Sequence, residues 1–134
     1  MSRNHPRLIS QIIVLVSITG LDRKAQVSYT YTDPETGLLH VEATGCSLNA
    51  HAPYHTVYAL DYAATRNGWC FKKKIKPRNG SNTIPHYRAD NRLLMVTEYD
   101  ELDTEYHFYL LFRNKVAGKS IHDDPQEGNI TTPK

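Results

Sequence analysis

LISQIIVLVSITG, residues 8–20, is the stretch whose reading decides the fold class. Arg3, His5 and Arg7 precede it, so it has the outline of a signal peptide. Ser10, Gln11 and Ser17 interrupt the apolar run, however, and no small-x-small cleavage motif follows. The run is also too short to span a bilayer as a helix. A strand explains it better. Ile12, Val14, Val16 and Ile18 then share one face, and Ile13, Leu15 and Ser17 the other. On this reading no membrane segment is expected, and the cytoplasm is the default location, with secretion left open.

The same period of two continues down the chain. QVSYTYT places Val27, Tyr29 and Tyr31 on one face and Ser28, Thr30 and Thr32 on the other. DPETG, residues 33–37, is a turn with Pro at its second position, and LLHVEAT follows as a third strand. Residues 56–68 fit two templates. Thr56 could cap a helix that ends before Gly68, but the β-branched and aromatic content favours a strand ending near Tyr62. WCFKKKIK is the next strand, with Trp69, Phe71 and Ile75 on one face and Cys70, Lys72, Lys74 and Lys76 on the other. LLMVTEY and TEYHFYLLFRN read as a hairpin with an acidic tip, and the second arm is apolar on both faces, as a central strand would be. KVAGKSI supplies a short last strand.

About seven or eight short strands with turns between them, and no amphipathic helix of any length, predict an all-β protein. The expected architecture is an antiparallel β-sandwich with immunoglobulin-like or related Greek-key topology. The Cys-Trp-Cys pattern of antibody domains is absent, because Trp69 sits beside Cys70. One domain is expected over residues 1–121 and a flexible tail over 122–134. The 134-residue length suits one domain with its own core. The 9 tyrosines against 3 phenylalanines and 1 tryptophan suit half-buried strands, with each ring inward and its hydroxyl near water. With 16 basic and 14 acidic residues, the net charge of +2 does not by itself point to nucleic acid or a membrane.

CSLNAHAPYH, residues 46–55, raises the question of a metal. Cys46, His51, His55 and Cys70 are all acceptable zinc ligands, but no close Cys-x-x-Cys pair is present. Pro53 argues against a helix that would align His51 with His55, and on a strand the two stand about 13 Å apart. No metal site is therefore expected. The two cysteines can be buried thiols, a single bridge or a redox pair, and the buried free thiol is the commonest state. Cys70 near Lys72 is the weaker suggestion of a reactive thiol. The acidic tip (Glu98, Asp100, Glu101, Asp103, Glu105) lacks the ligand spacing and glycine of a calcium loop. No nucleophile elbow, zinc-protease motif, phosphate-binding loop or dinucleotide fingerprint is present, so neither an enzyme nor a cofactor is expected.

A non-enzymatic module that binds a protein or small ligand is the leading functional expectation. Two long loops, residues 45–55 and 77–91, offer a lectin-like alternative, with His51, Tyr54, His55, His86, Tyr87 and Arg88 as candidate ligand residues and Asn79 and Asn82 beside them. The basic strand over residues 66–78 offers single-stranded nucleic acid through Lys72, Lys74, Lys76 and Arg78. The alternation counts against that reading, because Trp69 and Phe71 face away from these lysines. Lysines on an edge strand also serve to block sheet-to-sheet association. Exposed strand edges and tyrosine-rich faces leave self-association open.

Overall fold

A computed structural model describes residues 10–22, 24–33, 36–42, 47–50, 54–77, 84–99, 105–123 and 126–129. The described chain is mostly strand, in two sheets: β1 (Ser10–Thr19), β2 (Gln26–Thr32), β3 (Leu39–Glu42), β4 (Ser47–Ala50), β5 (Tyr54–Leu60), β6 (Trp69–Pro77), β7 (His86–Asp90), β8 (Leu94–Tyr99), β9 (Glu105–Asn114), β10 (Lys119–Asp123) and β11 (Gln126–Asn129). One short helix, α1 (Tyr62–Arg66), interrupts them. The all-β expectation therefore holds. No helix among the described residues is long and apolar enough to cross a membrane.

The first sheet runs β3-β2-β1-β5-β8-β7. β1 lies at its centre because it has the pattern the sequence showed. Ile12, Val14, Val16 and Ile18 are buried, and Gln11, Ile13 and Leu15 are exposed. β2 pairs antiparallel with β1 and buries Val27, Tyr29 and Tyr31. The turn between them needs Gly20, whose φ is +96° and whose missing Cβ would stand 3.1 Å from the Ala25 Cα. β9 is the centre of the second sheet, with β6 on one side and β10 and β11 on the other. The register of β10 against β9 continues unchanged into β11, so the two act as one broken strand; β11 then pairs with β4.

A single buried cluster draws on both sheets. Ile12, Val14, Tyr29, Tyr58 and Met95 come from the first, and Trp69, Phe71, Phe108, Leu110 and Phe112 from the second. Polar links also cross between the sheets. The Tyr29 hydroxyl donates to Asp123 Oδ2 at 2.6 Å, and the Trp69 indole N–H donates to the Gly20 carbonyl at 3.1 Å. These tyrosine and tryptophan rings keep their polar ends partnered while burying their apolar bodies.

Several expectations are corrected. Two strand pairings, β1 with β5 and β4 with β11, are parallel, so the sheets are not purely antiparallel. The strands outnumber the seven or eight expected because β4, β7 and β11 form in polar sequence. Their ladders use backbone groups, which any residue but proline supplies in full. β4 and β7 each lie within one of the two long loops expected over residues 45–55 and 77–91. β8 and β9 do not pair as a hairpin; β8 lies between β5 and β7, and β9 in the other sheet. Residues 122, 123 and 126–129, expected in the tail, are strand residues.

Residues 56–68 satisfy both templates in turn. β5 ends at Leu60, one turn of helix follows, and Asp61 caps it by accepting from the Ala64 N–H at 2.7 Å. The Ser17 hydroxyl donates to the other Asp61 carboxylate oxygen at 2.6 Å, which fixes the helix to β1.

Candidate functional site

The first sheet has a covered face and an open one. Register places the residues of the open face in rows. Val41, Thr30, Leu15, Ala59 and Leu94 form one row across five strands, ending at Asp90 of β7. Ile13, Val57 and Val96 form the next, ending at Arg88. Leu39, Val41, Ile13 and Leu15 are between 42% and 68% exposed. Val57, Ala59 and Leu94 are half-buried and Val96 is buried, so this face is most open at β1 and β3. Within these rows charge enters only at β7. Exposed apolar residues scattered singly need no explanation, but a contiguous patch does.

Part of the predicted ligand set lies beside this patch. His55 of β5 and His86 of β7 both register with Glu98 of β8, so they stand two strands apart in one row. Arg88 lies in the neighbouring row. Tyr87 shares the parity of Ala89, which packs against the core, and so belongs to the opposite face. Tyr54 opens β5. His51, Cys46, Asn79 and Asn82 lie outside the described residues. Among the described residues no group of three or more His, Cys, Asp or Glu side chains is placed to hold a metal ion.

The predicted basic strand builds a second feature at the corner between the sheets. Trp69 and Phe71 face the core as expected, 1% exposed each. Simple alternation then fails. Phe71 pairs with Phe112 and Ile75 with Leu110, so Lys72, Lys73 and Lys74 stand opposite the single residue Leu111. This is a bulge with two extra residues, and Lys73 turns into the left-handed region at φ 64°. All three lysines are exposed as a result. Without the bulge, Lys73 would share the buried face with Phe71 and Ile75.

The turn between β7 and β8 closes over this bulge. Asn91 and Arg92 both have positive φ, and the Leu93 N–H donates to the Asp90 carbonyl at 3.1 Å. The Phe71 N–H donates to the Arg92 carbonyl at 2.9 Å, which holds the turn against β6. Arg113 of β9 completes the wall. Cys70, Phe71, Lys72, Lys73, Lys74, Arg92 and Arg113 line an open hollow of about 230 Å³. Cys70 is a buried free cysteine, and its thiol donates weakly to the Arg113 carbonyl at 3.5 Å.

Two of the four predicted nucleic-acid residues, Lys72 and Lys74, therefore line the hollow. Lys76 is exposed farther along β6, opposite Tyr109, and Arg78 lies outside the described residues. Arg92 and Arg113 were not foreseen. Each is a single arginine in an otherwise ordinary turn or strand, and only the tertiary fold brings them together.

No family model matches the sequence, and no curated protein matches it at a significant level.

Proposed function

We propose that the protein is a non-enzymatic β-sandwich that acts by protein binding, through the open face of its first sheet, and that the first partner is a second copy of itself. The sandwich reading rests on the single core shared by both sheets. The parallel β1–β5 pair departs from the all-antiparallel sheets of immunoglobulin domains, so that connectivity is not part of the proposal.

The carrying observation is the exposed apolar patch of Ile13, Leu15, Leu39 and Val41. The six strands, 4 to 10 residues long and spaced by about 4.8 Å, give a face of roughly 500 Å² in projection, against roughly 800 Å² of accessible surface per partner in a standard interface. Charge is depleted at the centre and polar groups (His55, His86, Arg88) lie toward the rim, the usual anatomy of such surfaces.

Sedimentation velocity over a concentration series tests this reading. A dimer is expected, and Ile13→Lys should convert it to monomer while leaving the circular dichroism spectrum unchanged. A wild-type chain that stays monomeric up to about 100 μM, where even a weak specific complex associates, would sink the reading.

One observation favours a second reading. The shared row of His55 and His86 gives a lectin-like polar ligand two imidazoles on one surface. A glycan array is its test, and an array without hits disposes of it.

A further inference from the structure

We infer that the hollow at the β6 bulge is a binding site for a small phosphate-type oxyanion, either free or as the terminal group of a phosphorylated small molecule. Lys72, Lys73, Lys74, Arg92 and Arg113 line it, and no carboxylate is among its described lining residues. None of these five cations forms an ion pair with a described residue. Five like charges around one hollow repel one another, and a bound anion relieves that repulsion.

Edge protection explains lysines on β6, which pairs only with β9 among the described strands. It does not explain why an arginine from the other sheet and one from the neighbouring strand converge on the same place. Nor does it explain the backbone. Lys73 and Arg92 both adopt left-handed conformations, at φ 64° and 65°, where glycine would sit without steric penalty. The chain places a cation at each instead. The β7–β8 turn itself requires positive φ at Asn91 and Arg92, so what bears on a site there is the choice of arginine, while at Lys73 it is the left-handed lysine within the bulge.

The dimensions choose the ligand. At about 230 Å³ the hollow is smaller than the pockets of roughly 300–1,000 Å³ that hold drug-sized molecules. It suits a phosphate or pyrophosphate group. Arginine forks match phosphate oxygens in pairs, and lysines add point charge. Among the described lining residues the one ring, Phe71, is buried and offers a base no face to stack on. The site therefore reads charge and not sequence.

Titration calorimetry of the full chain with inorganic pyrophosphate, and separately with ADP, tests the inference at about 50 mM salt, where screening is weak. Saturable binding with one site per chain is expected. Lys73→Gly and Arg92→Gly should each weaken it by about tenfold or more, the usual loss for a charge-assisted contact. Both variants place glycine where the backbone already suits it, so their melting temperatures should hold or rise, and lost binding cannot be blamed on lost folding. Lys24→Gln, on the β1–β2 turn and not among the described residues that line the hollow, should change the affinity less than twofold. ADP that binds as well as pyrophosphate assigns the site to a terminal phosphate group, and ADP that fails to bind assigns it to the free ion. Absence of saturable binding, or an equal loss in Lys24→Gln, overturns the inference. So does a single-stranded oligonucleotide that binds more tightly than pyrophosphate through the same cations, with a steep salt dependence.

Discussion

β1 and β6 are strands of nearly equal length, 10 and 9 residues, and they treat their side chains in opposite ways. β1 alternates without interruption from Gln11 to Ile18. β6 buries three residues in succession, Trp69, Cys70 and Phe71, and then exposes three lysines. The difference follows from their neighbours. β1 is paired on both sides, by β2 and β5, so an inserted residue would shift two registers at once and bring its exposed set into the core. β6 has one described partner, so two extra residues bow outward at little cost to the ladder. The strand held on both sides supplies the scaffold, and the strand held on one side supplies the cationic hollow.

The sharpest way to break this comparison lies within β6 itself. Phe71→Ala removes a ring packed 5.2 Å from Phe112 in the core and should cost about 3–5 kcal/mol in urea denaturation. Lys72→Ala, one residue on, should stay within about 0.5 kcal/mol of wild type. Equal losses would mean that the lysine bulge is structural, and the contrast between the two strands would fail.

A smaller effect is expected where β6 and β9 begin their pairing. Asn114 is fully buried and opposite Trp69. Its Nδ2 donates to the Asn67 carbonyl, and its Oδ1 accepts from the N–H groups of Val116 and Ala117, each at 2.9 Å. Gly68 lies directly beneath, and a Cβ there would stand 2.9 Å from Asn114 Oδ1. Asn114→Ala should therefore cost about 2–3 kcal/mol by leaving these backbone groups unpaired, again read by urea denaturation. A cost below about 0.5 kcal/mol would show that the β9–β10 turn closes without the side chain.

How much of this could be read from the sequence also divides between the two strands. The positions of β1, β2 and β9 follow from period-two apolar patterning, because burial on one face leaves that mark on the residues themselves, whereas β3 carries the same pattern with its apolar Leu39 and Val41 exposed. The helix template for residues 56–68 put its cap at Thr56, whereas the cap is Asp61 and the helix spans only Tyr62–Arg66, so the segment is strand first and helix after. The parallel pairing of β1 with β5 left no mark, since it joins segments about 40 residues apart through backbone bonds. The hollow was half legible. The run of lysines was visible as charge, but a bulge is a property of pairing with β9, and Arg92 and Arg113 lie in sequence with no local signal. His55 and His86 were legible as chemistry and misplaced as loop residues, because strands in polar sequence do not announce themselves.

On β1 the comparison is sharpened by two adjacent substitutions. Val14 is fully buried and Ile13 is 62% exposed. Val14→Ala should lower stability by about 1–3 kcal/mol, through lost transfer energy and a residual cavity. Ile13→Ser should change it by about 0.5 kcal/mol or less in dilute solution. At high protein concentration the wild-type melting temperature should rise, as mass action favours the associated state, and in Ile13→Ser that rise should disappear. A wild-type melting temperature that does not move with concentration would leave the open face without an occupant.

The smallest expected effect is the one whose sign is informative. Lys73 at φ 64° carries the steric penalty of a left-handed side chain, roughly 1–2 kcal/mol. Lys73→Gly removes that penalty, and it also removes one of five mutually repelling charges. Against this, glycine gives the unfolded chain more freedom to lose, at about 0.5–1 kcal/mol. The balance favours the variant by a few tenths to about 1 kcal/mol, measurable as a higher urea midpoint with an unchanged slope. A gain in stability means that the wild-type lysine is held there at a cost to folding, which is the condition a binding site would impose. A loss of more than about 1 kcal/mol would instead make the lysine side chain part of what closes the corner between the sheets, and the bulge would join β1 as scaffold.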